Sequence, residues 1–132
     1  QLDPLRAALA RALPPIQGFD ALSRMVHDDR DKLRRILAAF ATETRQDLER
    51  WRQARASTDR AMLGLLAHRL RSACLTLGAD EAAQLLDAIE HDATDPAMAD
   101  PAFVATADRA SARVAALLAD IEHALGGLSS PA

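Results

Sequence analysis

The stretch LLAHRLRSACLTLGAD, residues 65–80, writes two instructions on one helix. On a wheel of about 100° per residue centred on Leu70, Leu63, Leu66, Leu70, Ala73, Cys74 and Leu77 fall within roughly 60° of one direction. Such a stripe is the signature of a helix that buries one face. Gly78 follows as a natural C-cap. His68 lies roughly 160° from the stripe, which sets its imidazole on the outer face. Its outer neighbours at helical spacing are Gly64, Leu65, Arg71, Ser72 and Leu75. An ordinary solvated face would carry Glu, Lys and Gln there. Gly64 costs about 1 kcal/mol relative to Ala inside a helix, so its presence needs a reason. Two readings stand: a smooth, cationic docking face around an exposed histidine, or leucines packed beneath other helices with His68 a bystander.

The flanking segments repeat the helical pattern. A helix over about 29–56 carries the stripe Leu33, Ile36, Leu37, Phe40, Thr44, Leu48 and Trp51. Ser57, Thr58 and Asp59 supply a turn and an N-cap before a helix over 59–77. A helix over 79–93 turns Ala82, Leu85, Leu86 and Ile89 inward. Two prolines mark the loop 94–101. A last helix over about 102–125 carries Phe103, Val104, Ala107, Val114, Leu117, Leu118, Ile121 and Leu125. Short connections force antiparallel neighbours. The expectation is an all-α, up-down-up-down antiparallel four-helix bundle with short additional N-terminal helices. Residues 1–17 read as an N-terminal helix and linker, 18–126 as the bundle, and 127–132 as a tail. Aromatic residues are 3% of the 132 and Tyr is absent, so the core must use Leu, Ala, Ile, Val and Met, which suits helices better than sheets.

A net charge of −3 argues against nucleic acid, which asks for a basic face. No apolar run approaches the roughly 20 residues that span a bilayer. The single cysteine, Cys74, allows no intrachain disulfide, lies on the inner stripe and reads as inert packing. His27 and the aspartates after it read as a turn and helix cap rather than a metal site. His91 and His123 read as helix-end residues, where histidine is favourable. Gln1 suggests a piece of a longer chain.

AHRLRSACLTLGA resembles the phosphotransfer motif of histidine-containing phosphotransfer (HPt) domains, His-x-Leu-Lys-Gly followed later by Gly. It stands here as His68, Leu70, Arg71, Ser72 and Gly78. FDALSRMVHDDRDKLRRILAAF is similar to that family's lead-in, and LLDAIE to its next helix, so the resemblance covers roughly 18–125. Two residues depart from the pattern. Arg71 replaces Lys, keeping the charge and adding a bidentate fork. Ser72 replaces Gly, which is small but less permissive of close approach.

The resemblance implies a phosphorelay intermediate rather than a self-sufficient enzyme. His68 would accept a phosphoryl group from a receiver-domain aspartate and pass it to another. Arg71 would stabilise phosphoryl oxygens, and Glu90 would bond the other ring nitrogen and orient His68. Gly64, Leu65, Arg69, Ser72 and Leu75 would meet the partner. The implied partners are response-regulator receiver domains, which also supply Mg²⁺; the domain binds no cofactor or metal of its own. It would be monomeric in isolation and cytoplasmic, on its own or as the C-terminal part of a membrane-anchored hybrid sensor kinase. The rival readings are a helical interaction module without the chemistry, and the phospho-accepting domain of a chemotaxis-type kinase.

Overall fold

Two aspartates open the first two long helices. Asp29 accepts the Lys32 amide proton and Asp59 the Met62 amide proton, each at 3.1 Å. Both satisfy amides that lack an intrahelical partner. The computed structural model describes residues 29–129 together with Leu22, Arg24, Val26 and His27. The helices are α1 (Arg30–Ala56), α2 (Arg60–Thr76), α3 (Asp80–Asp92) and α4 (Asp100–Ser129). Each packs on the next, and α4 returns to α1. That closed ring is the expected antiparallel bundle. The segment expected over 1–17 lies outside the described residues.

The turns on either side of α2 share one hydrogen-bond pattern. After α1, Thr58 N–H donates to Arg55 O and Asp59 N–H to Ala54 O; after α2, Gly78 N–H donates to Leu75 O and Ala79 N–H to Cys74 O. This is the Schellman arrangement, which needs a left-handed residue just past the cap. Gly78, at φ 72°, takes that conformation without strain, whereas Thr58 holds it at φ 50° against its β-branch.

The stripes close on one core. Leu33, Leu37, Leu63, Leu66, Leu77, Leu86, Ile89, Phe103 and Ile121 are buried, and so is Trp51. Among the described residues methionine contributes less than composition suggests, since Met98 is partly buried and Met62 exposed. Arg60 pins the start of α2 to the far side: its guanidinium donates to Met98 O at 2.7 Å and stands 4.6 Å above the Phe103 ring. Cys74 is buried as expected, and burial pushes its thiol up to about 11.

The end of α4 departs from the sequence reading. The helix runs through Gly126 and Gly127 to Ser129 instead of stopping near 125. Leu128 is buried, and the Arg30 guanidinium donates to Leu128 O at 2.7 Å, so packing and a cation at the last carbonyls outweigh the glycine propensity. His123 consequently stands inside α4 rather than at its end. No helix among the described residues is long and apolar enough to cross a membrane.

Thr58 is half-buried and strained, so Thr58→Gly should raise stability by about 0.5–1 kcal/mol, the left-handed penalty less the chain entropy of glycine. Urea unfolding should show a higher midpoint with unchanged slope; a lower midpoint would contradict the account of this turn.

Candidate functional site

In an antiparallel helix pair, residues equally distant from the turn face each other. Ala79 closes the α2–α3 turn. His68 and Glu90 each lie eleven residues from it, and Arg71 and Asp87 each lie eight. The structure brings these four together. His68 is 65% exposed on α2, and its Nδ1 lies 2.6 Å from Glu90 Oε1 on α3. An ionised carboxylate can only accept, so toward it Nδ1 is the donor, and Nε2 is the ring nitrogen that Glu90 leaves unengaged. Glu90 is mostly buried, which anchors the acceptor.

Arg71 takes the opposite place from the one expected for a cation waiting on a substrate. Its Nη1 donates to Asp87 Oδ1 at 2.6 Å, and its Nε lies 3.2 Å from Glu90 Oε2. The second approach is an ion pair without hydrogen-bond alignment, since Oε2 is buried and has no hydrogen-bond partner. Asp87, Arg71, Glu90 and His68 thus form one continuous polar chain. With His91 and Thr94 they line a shallow cleft of about 340 Å³.

Arg69 and Gly64 turn out to serve the bundle. Arg69 points to α1, where its Nε pairs with Asp47 Oδ2 at 3.3 Å; Arg50 Nη1 holds the other oxygen at 3.2 Å. Asp47 is buried, and two guanidinium groups compensate its charge. The charge of Arg69 is therefore engaged about a quarter-turn away from His68. A Cβ on Gly64 would lie 2.9 Å from Ala93 Cβ. The glycine thus admits the end of α3 against α2, which explains it without a partner.

Leu65 and Leu75 are 56% and 59% exposed, and Ser72 is exposed. Met62, overlooked in the sequence, joins them; these three are the large exposed apolar side chains among the described residues, and all lie on α2. Asp87 and Asp47 were also overlooked. Equal distance from the turn would have located Asp87, and an acid on the inner stripe of α1 would have located Asp47. Asp29 caps α1, and no group of three metal-ligating side chains occurs among the described residues.

The family model described as Hpt domain matches residues 35–127, more than two thirds of the chain, from within α1 to nearly the end of α4. No curated protein and no solved structure matches.

Alanine favours helix over glycine by about 1 kcal/mol, yet Gly64→Ala should lower stability because the new methyl meets Ala93. Adding Ala93→Gly should recover the loss, with a coupling energy of about 1 kcal/mol in chemical denaturation. Additive effects of the two substitutions would contradict the close approach.

Proposed function

We propose a phosphorelay role for this chain, which belongs to the histidine-containing phosphotransfer family, whose domains carry phosphoryl groups in phosphorelays without an ATP site of their own and interact with receiver domains. On that premise we propose that His68 takes a phosphoryl group from a receiver aspartate and returns it to another receiver. The observation that carries the reading is the 2.6 Å contact between His68 Nδ1 and Glu90, on a histidine whose side chain is 65% exposed.

The step balances without moving a proton. The Nε2 lone pair attacks phosphorus in line, the N–P bond forms, and the acyl-phosphate P–O bond breaks with its electron pair leaving on the receiver carboxylate. The ring keeps its Nδ1 proton and becomes cationic, and the Glu90 carboxylate stabilises that charge. Phosphoryl transfer depends on positioning and charge neutralisation. The receiver contributes Mg²⁺ and the activated phosphoryl group. Arg71 contributes a guanidinium for the phosphoryl oxygens once it turns from its carboxylates. Leu65, Ser72 and Leu75 give the receiver a partly apolar surface beside the nucleophile. Because the donors and acceptors are receiver domains, the domain works in the cytoplasm.

Incubation with a phosphorylated receiver and Mg²⁺ should place acid-labile, base-stable label on the native chain and none on His68→Gln. Glu90→Ala should slow transfer tenfold or more, about the value of 1.5–3 kcal/mol for a lost charged hydrogen bond. Native protein left unlabelled by a panel of receivers would point instead to a helical interaction module.

A further inference from the structure

Arg71 already has two anionic partners where phosphoryl transfer asks it for a third. The two are unlike. Glu90 is mostly buried and is committed to His68 through its other oxygen. Asp87 is 60% exposed, stands at the mouth of the cleft, and binds Arg71 Nη1 at 2.6 Å. With His68 and His91 neutral, the formal charges of Asp87, Arg71 and Glu90 leave the cleft at −1. A phosphoryl group carrying close to −2 therefore arrives at a site of its own sign.

The fold does not depend on the Asp87 contact. Leu63, Leu66, Leu70, Ala82, Leu86 and Ile89 are buried on the inner faces of α2 and α3. Exposed ion pairs contribute little, so the Arg71–Asp87 pair is easily exchanged for another anion. Asp87, Arg71 and His68 line the same cleft.

We propose that Asp87 is a placeholder for the phosphoryl group. It holds Arg71 in the unphosphorylated domain, is exchanged for phosphoryl oxygens when the N–P bond forms, and reclaims Arg71 when the group leaves. By competing for Arg71 and repelling the phosphoryl group, it shifts the transfer equilibrium toward the receivers. The domain is thereby a carrier that unloads readily rather than a store. No atom or electron enters beyond the transfer step itself: one ion pair is traded for another beside it. Asp87 is a positioning residue acting through Arg71, and its role rests on the phosphotransfer reading of His68.

The test is the partition of label between the full chain and a phosphorylated receiver, with Mg²⁺, at low and high salt. Asp87→Asn should shift the equilibrium toward phosphorylated His68 about fivefold at low salt, the effect of one unit charge at close range in a solvated site. The gain should shrink at about 1 M salt, where exposed charges are screened. Asp87→Glu should behave as the native chain. In an Arg71→Gln background the gain from Asp87→Asn should fall, because the competition is gone. Unlabelled native chain defeats the phosphotransfer reading and this proposal with it. Labelled native chain with an Asp87→Asn partition that is unchanged, salt-independent or shifted toward the receiver overturns the placeholder alone.

Discussion

The hydrogen bond from His68 Nδ1 to Glu90 joins two helices across the α2–α3 turn, and it exists only if that turn holds its register. Gly78 supplies the left-handed residue that closes the turn without strain. Gly64 lets the far end of the pair approach until Ala93 fills the space of the missing Cβ. Between these two glycines the buried leucines of α2 and α3 set the separation. An imidazole on a solvent face would ordinarily sample several rotamers and both tautomers. Here a mostly buried carboxylate lies 2.6 Å from Nδ1, and that contact favours one rotamer and one tautomer.

Charge is distributed around α2 according to direction. Toward α1, Arg69 helps neutralise the buried Asp47. Toward α3, Arg71 is held by Asp87 and Glu90. Along the outer side, Leu65 and Leu75 leave apolar surface beside His68. One helix thus separates by angle the pair with Asp47, the polar chain with α3 and the exposed leucines, with its inner stripe reserved for the core.

The architecture was legible because α1 to α4 each carry an apolar stripe at helical spacing and short loops separate the first three. The geometry of the candidate site was legible in outline: the wheel exposed His68, and resemblance to the phosphotransfer family pointed to Glu90 and Arg71, which stand beside it. Three features escaped. Arg69 and Arg71 look alike in sequence, and only the helix angle assigns one to α1 and the other to α3. Gly64 suggested room for a partner, but the room is taken by Ala93, a contact that depends on helix separation. The run past Gly126 defied local propensity because Leu128 is buried and Arg30 binds the terminal carbonyls, both tertiary effects.

The proposed transfer requires that Glu90 fix the His68 ring with its proton on Nδ1 and its lone pair on Nε2. Long-range proton–nitrogen NMR of the ¹⁵N-labelled chain at about pH 8 reads this directly. The account predicts a protonated, pyrrole-type Nδ1 and a pyridine-type Nε2 for His68, with the second tautomer gaining population in Glu90→Ala. A His68 ring protonated mainly on Nε2, or a tautomer balance indifferent to Glu90→Ala, would contradict it.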